Sequence, residues 1–222
     1  MLPGPTYIKQ CPECSCHIRQ TSLISGNTIG AIYWTDGKME APHLPSQPDV
    51  VRCPDCDSLF WLSDIAPAYT VDPTRIRSRT LSFLPEIVKS PVGPTFQMLV
   101  DYLSTTDISS NRERYARQYA WCCGNDSRRE TASVHKSAMS SAEILNLRHL
   151  EIFLDPTTDS DHIRKAEIRR EMSDFDGALA LLNSSSNDRK WWIWPRKVRR
   201  DCPTANVIKE LALKGNALVA RV

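Results

Sequence analysis

CPEC at residues 11–14 and CPDC at residues 53–56 decide the fold predicted for the N-terminal part of this 222-residue chain. In each motif two residues separate the cysteines, so one tight turn presents both thiolates to the same ion. Two such turns supply a tetrahedral set of four sulfur ligands, which suits zinc. The predicted ligands of this metal centre are Cys11, Cys14, Cys53 and Cys56.

The predicted zinc ion is structural, because four protein ligands leave no open coordination position. Its binding energy then acts as folding energy for a module too small to hold a large core. A redox function for the two motifs is disfavoured, because neither lies in a βαβ pattern. Cys16 and His17 adjoin the first motif and are alternative ligands, a choice that the sequence leaves open.

A long insertion separates the two motifs. Its 38 residues, between Cys14 and Cys53, exceed the roughly 15–20 of compact ribbons. An Asp-Gly pair at residues 36–37 is a strong hairpin signal, so we infer a hairpin here. We expect Asp36 and Glu40 to be exposed turn carboxylates. The predicted partner contacts in this hairpin are Trp34, Asp36 and Lys38.

Composition predicts a soluble α+β protein, in which a small β-rich zinc ribbon precedes an all-α helical domain. The hydrophobic fraction is 41% and the charged fraction 24%, as in ordinary globular proteins. We place a zinc-ribbon-like module at residues 1–66, a proline-rich linker or docking segment at 67–94, and a helical domain at 95–222. No basic segment followed by an apolar run opens the chain, and no stretch approaches the roughly 18 apolar residues of a membrane span. We therefore expect a cytoplasmic protein without a membrane span.

Apolar spacing and capping signals place the predicted helices. Apolar residues recur at helical spacing from Phe96, and residues 112–129 form a second candidate. Ser140 and Glu143 form a capping-box pattern before a third helix. Residues 161–172 and 174–182 predict a helical hairpin with a very short turn. Pro203 suits the first turn of a last helix, which Gly215 terminates.

Two stretches carry resemblances to known proteins. SGNTIGAIYWTDGKMEAP at residues 25–42, flanked by the two cysteine motifs, resembles a group of uncharacterised bacterial proteins that pair a zinc-ribbon-like N-terminus with a tetratricopeptide-like helical region. A looser match covers Gly-Asn-Asp at residues 124–126, although Cys122 stands where the group tends to have tryptophan. Residues 166–182 resemble the middle of one tetratricopeptide repeat, with Ser173 at a usual glycine position. The resemblance implies the architecture and the four cysteines, and no activity.

A basic, tryptophan-rich segment at residues 189–200 is a second candidate contact surface. Its aromatic rings and cations suit stacking on bases and neutralising phosphates, or a membrane interface. The alternative is that the tryptophans pack into the core beside a solvated basic turn. The residues concerned are Trp191, Trp192, Trp194, Arg196, Lys197, Arg199 and Arg200.

The sequence thus favours a zinc-binding protein that acts as an interaction module or adaptor towards a protein partner. A nucleic-acid-binding protein that uses residues 189–200 is the first alternative. An enzyme of unknown class is the second and is disfavoured, because the chain has no phosphate loop, zinc-protease helix or dinucleotide fingerprint. The adjacent Cys122 and Cys123 are predicted to be buried thiols rather than ligands.

Overall fold

The computed structural model describes residues 1–72, 88–130, 138–155, 157–184, 203–217 and 220–221. Within these residues the protein is α+β, as the sequence predicts. The strands are β1 (Leu2–Pro3), β2 (Thr6–Gln10), β3 (His17–Gln20), β4 (Leu23–Ser25), β5 (Ile32–Tyr33), β6 (Met39–Glu40), β7 (Val50–Arg52), β8 (Leu59–Trp61), β9 (Tyr69–Val71) and β10 (Val88–Lys89). The helices are α1 (Phe96–Thr105), α2 (Ser110–Glu130), α3 (Ser141–Ile152), α4 (Asp159–Glu171), α5 (Phe175–Ser184) and α6 (Pro203–Leu213).

The chain divides into two compact units. Unit 1 contains Met1–Ala31 and Glu40–Met98, and unit 2 contains Ile32–Met39 and Leu99–Val222. The ribbon module predicted at residues 1–66 includes the hairpin segment Ile32–Met39. In the structure this segment belongs with the helices, because its contacts are made there.

Unit 1 is built on a four-stranded sheet with the strand order β10-β3-β2-β9. Strand β2 is antiparallel to both β3 and β9, whereas β10 runs parallel to β3. Strands β9 and β10 both come from the predicted proline-rich segment, so its described ends are part of this sheet. Residues 73–87 of that segment lie outside the described residues.

The core of unit 1 lies between the sheet and the separate β7-β8 hairpin. In that hairpin Val50 pairs with Trp61 and Arg52 with Leu59. Two of the predicted metal ligands, Cys11 and Cys53, are part of this core. The core side chains are Cys11, Ile18, Val51, Cys53, Phe60 and Leu62, with Cys16 and Ile65 packed against them.

Unit 2 contains antiparallel helix pairs, with α2 packed on α3 and α4 on α5, and α6 packed on both α4 and α5. An apolar cluster joins α2, α3 and α4 and consists of Trp121, Leu147, Leu150, Leu154 and Ile168. Ser140 caps α3 with the predicted capping box, in which its hydroxyl accepts from the Glu143 backbone N–H. Gly215 follows α6 with a φ of 62°, so the predicted helix stop is confirmed.

The predicted hairpin at residues 36–37 is also confirmed. The Trp34 backbone N–H donates to the Lys38 carbonyl at 2.9 Å, which closes the turn. Gly37 has a φ of 86°, a left-handed conformation that glycine adopts without steric cost. Among the described residues, no helix combines the length and the apolar character that crossing a membrane requires.

Candidate metal centre

The first cysteine motif is the turn that joins β2 to β3. The Ser15 backbone N–H donates to the Cys11 carbonyl, and the Cys11 N–H donates to the Cys16 carbonyl, both at 2.9 Å. Ser15 has a φ of 60°, so the chain reverses through a left-handed residue directly after Cys14. This turn directs the thiols of Cys11 and Cys14 to the same side of the hairpin.

The second motif repeats this geometry between β7 and β8. The Asp57 N–H donates to the Cys53 carbonyl at 3.1 Å, and the Cys53 N–H donates to the Ser58 carbonyl at 2.9 Å. Asp57, which follows Cys56, also has a φ of 60°. The two turns are therefore equivalent, and Ser58 stands in the second where Cys16 stands in the first.

The four predicted ligand sulfurs converge on one point. The Sγ atoms of Cys11, Cys14, Cys53 and Cys56 all lie within 4.8 Å of one another. Cys11 Sγ lies 3.7 Å from Cys56 Sγ, and Cys14 Sγ lies 3.6 Å from Cys53 Sγ. A tetrahedral site with metal–sulfur bonds of about 2.3 Å has sulfur–sulfur edges of about 3.8 Å, so the spacing fits a four-thiolate zinc site.

Backbone N–H groups favour the thiolate form of Cys53. Burial raises the pKa of this fully buried thiol, but hydrogen bonds from the backbone of Cys56 and Asp55 outweigh burial and lower it to about 6. The Asp55 N–H lies 3.4 Å from Cys53 Sγ. Because a metal binds the thiolate and not the thiol, this arrangement prepares Cys53 as a ligand.

The pKa values of the two cysteines in the first turn are shifted in opposite directions. Burial opposes ionisation of Cys11, yet its pKa is lowered overall by a hydrogen bond from the Ser58 hydroxyl and by backbone N–H groups. For Cys14, a backbone hydrogen bond from Cys16 lowers the pKa, but desolvation and hydrogen bonds with the thiols of Cys56 and Cys53 outweigh it and raise the pKa to about 11. The neighbouring thiols thus disfavour the thiolate form of Cys14. A bound cation reverses this effect, because it binds all four sulfurs as thiolates.

Two side chains outside the set of four lie within hydrogen-bond distance of the ligand sulfurs. The Ser58 hydroxyl lies 3.4 Å from Cys11 Sγ and 3.1 Å from Cys56 Sγ. Cys16 Sγ lies 3.3 Å from Cys53 Sγ. Such contacts orient ligands and tune a metal centre. His17, the other alternative ligand, instead contacts Gln10 through its ring Nε2 at 3.4 Å.

The prediction that Asp36 is an exposed turn carboxylate is wrong. Its side chain is fully buried within unit 2, where it accepts hydrogen bonds from the Arg129 guanidinium and from Asn125 Nδ2. Its other oxygen accepts from the Lys38 backbone N–H at 3.1 Å. Glu40, the second carboxylate of the hairpin, is exposed as predicted.

The other two predicted partner contacts of the hairpin also interact with unit 2. The Arg129 guanidinium carbon lies 5.1 Å from the centroid of the Trp34 ring, within cation–π range. Lys38 Nζ lies 2.6 Å from an Asp126 carboxylate oxygen. Trp34, Asp36 and Lys38 thus hold the hairpin within its own unit. The tryptophan-rich segment at residues 189–200 lies outside the described residues.

Sequence reasoning missed a second buried polar group in unit 2. Glu171 accepts hydrogen bonds from Trp121 Nε1 at 2.7 Å and from Asn125 Nδ2 at 3.2 Å. Burial, and then the charge of nearby Glu167, raise the pKa of Glu171 to about 8. Asn125 thereby donates hydrogen bonds to both Asp36 and Glu171. The one available signal was the Gly-Asn-Asp match at residues 124–126, which contains Asn125.

The other cysteines of the described chain belong to unit 2. Cys122 and Cys123 lie in α2 and form no disulfide bond. Burial raises the pKa of Cys122 to about 12 and that of Cys123 to about 11. Both therefore stay protonated at neutral pH and are poor ligands.

The sequence matches no protein-family model, and no match to it is found among curated proteins or solved structures.

Proposed function

We propose that the protein binds one zinc ion through Cys11, Cys14, Cys53 and Cys56. The convergence of these four Sγ atoms within 4.8 Å carries the proposal. Four sulfur donors suit zinc better than calcium or magnesium, which prefer oxygen. The ion would be structural, since the four thiolates complete its coordination.

A structural metal also fits the packing of unit 1. Cys11 and Cys53, the first cysteine of each turn, are core residues, whereas Cys14 and Cys56 are exposed. The metal thereby joins the β2-β3 hairpin to the β7-β8 hairpin at the edge of a small core. Free thiols in this number are stable in a reducing compartment, so we place the protein in the cytoplasm.

We further propose that unit 2 is a tetratricopeptide-like interaction domain, so that the whole protein is an adaptor. Helices α4 and α5 form an antiparallel hairpin in which Ala166 and Ala178 are fully buried, and small residues there permit close helix approach. Ser173, at the usual glycine position of such a repeat, has a φ of 66°. Ser173 therefore adopts the left-handed conformation that glycine usually supplies in such a repeat hairpin.

A groove on unit 2 suits a protein partner. It lies between α1, α2 and α3, has a volume of about 240 Å³, and has apolar walls formed by Val100, Leu103 and Leu145. The Leu145 side chain is 53% exposed. Arg117 and His149 also line the groove and offer polar contacts to a bound peptide. An exposed leucine beside a groove with polar groups matches the composition of protein-binding sites.

Metal analysis tests the first proposal. Purified protein should contain one zinc per chain, and Cys53→Ser should lose both the zinc and the folded unit 1. Cys123→Ser is the matched control, because this thiol lies in α2, and it should keep the full zinc content. A stably folded chain without metal contradicts the proposal.

Capture of a partner from a bacterial lysate, followed by cross-linking at the groove, tests the proposal that unit 2 is an interaction domain. Leu145→Glu should abolish capture of a stoichiometric protein partner. Ile29→Glu is the control, because Ile29 is an exposed apolar residue of unit 1, with 73% of its surface accessible. Equal capture by both variants, or no stoichiometric partner at all, contradicts the adaptor proposal.

A further inference from the structure

Cys16 and Ser58 occupy equivalent positions in the two cysteine turns. Each residue follows the left-handed residue of its turn, and each backbone carbonyl accepts a hydrogen bond of 2.9 Å from the first cysteine of that turn. Their side chains then point to corresponding places. The Ser58 hydroxyl approaches Cys11, the buried ligand of the opposite turn, and Cys16 Sγ approaches Cys53, the buried ligand opposite it.

The difference between the two positions is chemical. A serine hydroxyl donates a hydrogen bond to a ligand sulfur and cannot be oxidised by a peroxide under mild conditions. A thiol at the same place donates a similar, weaker bond and can also form a disulfide. The Sγ atoms of Cys16 and Cys53 are 3.3 Å apart, so a bond of about 2.05 Å needs them to approach by only about 1.3 Å.

We propose that Cys16 is an oxidation site of the metal centre, where a hydroperoxide converts Cys16 and Cys53 into a disulfide and releases the metal ion. The inference rests on the proposed metal site. Of the two sulfurs that form the disulfide, Cys16 is the more accessible, because it is half-buried whereas Cys53 is fully buried, and Cys16 is not one of the four proposed metal ligands. Because Cys53 supplies one of four ligands, its loss to a disulfide leaves three, and the remaining set binds zinc more weakly.

The chemistry balances with hydrogen peroxide as the oxidant. The Cys16 thiol loses its proton and attacks a peroxide oxygen as the thiolate; the O–O bond breaks, a sulfenic acid forms, and the hydroxide that leaves takes up the released proton as water. The Cys53 thiolate then attacks the Cys16 sulfur, the S–O bond breaks, and hydroxide leaves as the S–S bond forms. The two sulfurs lose two electrons, which reduce the peroxide. The zinc ion is released unchanged in charge.

The test uses the full-length, zinc-loaded protein and hydrogen peroxide. Released zinc is followed with a chromogenic chelator, and disulfide-linked peptides are identified by mass spectrometry without reduction. We expect the wild type to release its zinc while a pair of peptides linked through Cys16 and Cys53 appears. A thiol reductant should then restore zinc binding. Cys16→Ser gives the first turn the serine of the second, and it should release zinc at least about tenfold more slowly.

A swapped variant, Cys16→Ser with Ser58→Cys, keeps the number of thiols and should regain peroxide sensitivity. Release from Cys16→Ser at the wild-type rate, or linkage of Cys53 to another cysteine, overturns the proposal. Failure of Cys16→Ser to hold zinc before oxidation also overturns it, because Cys16 would then be a ligand. A wild type that never contains zinc instead overturns the metal site itself, so the two failures are distinguishable.

Discussion

Asp36 in the β5-β6 turn and Arg129 near the end of α2 form a buried ion pair across 93 residues of sequence. The two side chains are 0% and 4% exposed, respectively. Both residues lie in unit 2, so the hairpin inserted between the cysteine turns contributes a charge to the interior of the helical unit. Burial lowers the pKa of Arg129 to about 10, which still leaves the guanidinium charged at neutral pH.

Removing the carboxylate should strongly destabilise unit 2. Asp36→Ala removes the buried charge partner of Arg129 and leaves only the partly exposed Asp126 carboxylate beside the cation, and a broken buried ion pair costs about 3–5 kcal/mol. The measurement is the free energy of unfolding from urea titrations followed by helical circular dichroism. Lys38→Ala is the control, because its ion pair with Asp126 is partly exposed and is worth about 0–1 kcal/mol.

A second substitution separates the lost charge from lost packing. Arg129→Met in the Asp36→Ala background removes the cation that has lost its buried partner and should recover part of the lost stability. Equal losses for Asp36→Ala and Lys38→Ala would contradict the structural assignment of Asp36. Zinc content should stay the same in all three variants, since none of these residues belongs to unit 1.

Glu171 should make the stability of unit 2 fall as the pH rises. Its folded-state pKa of about 8 exceeds the ordinary value of 4.5, so between these values the folded state holds a proton that the unfolded state has lost. The unfolding free energy therefore decreases with increasing pH across this window and levels off above about pH 8. Glu171→Gln keeps the shape of the side chain and should remove this slope.

The control for this pH dependence is Glu210→Gln. The Glu210 carboxylate is exposed, and a hydrogen bond from Lys214 lowers its pKa. The contribution of Glu210 is therefore present above its ordinary pKa and is lost only in more acidic solution. Urea titrations at a series of pH values between 4.5 and 8.5 compare the variants. An unchanged slope in Glu171→Gln would refute the burial of a protonated carboxyl group at this site.

Ser173→Gly should stabilise unit 2. Ser173 is exposed and has a φ of 66° in the turn between α4 and α5, a conformation that costs a residue with a Cβ atom about 1 kcal/mol relative to glycine. The melting temperature should rise accordingly. Ser104→Gly is the matched control, because Ser104 is an exposed helical residue of α1 and glycine there should lower stability by roughly 0.5–1 kcal/mol.

Removing the metal should unfold unit 1 selectively. A strong chelator deprives the small core around Cys11 and Cys53 of the ion that joins its two hairpins, so amide protons of β2, β3, β7 and β8 should lose protection from hydrogen exchange. Helices α3, α4 and α5 should keep their protection, because their contacts lie in unit 2. Simultaneous loss of protection in both units would show that the metal stabilises the whole chain.

Local signals allowed much of the fold to be predicted. The two-residue spacing within each cysteine motif determines where both thiols point, whatever the rest of the chain does. The capping box at Ser140 and the glycine turn at Gly37 likewise depend on residues four or fewer positions apart. For the same reason the positions of α1 to α6 follow closely from apolar spacing and helix-end residues.

The remaining features depend on residues that are distant in sequence. Nothing near Asp36 indicates that a cation from α2 pairs with it, and an Asp-Gly turn is ordinarily solvated, which is why its burial was not predicted. The proline density of residues 67–94 predicts a linker or docking segment and gives no sign of β9 and β10, because only their pairing with β2 and β3 defines them as strands.

By itself, the sequence determined the two cysteine turns, the helices and the hairpin turn, because each arises from chemistry within a few residues. Only the tertiary structure decided which side chains lie beside the site. It placed Cys16 3.3 Å from Cys53 and Ser58 at the equivalent position, a relationship that requires two separate turns to face each other. It also buried Asp36 against Arg129, because packing brings those two residues out of water together.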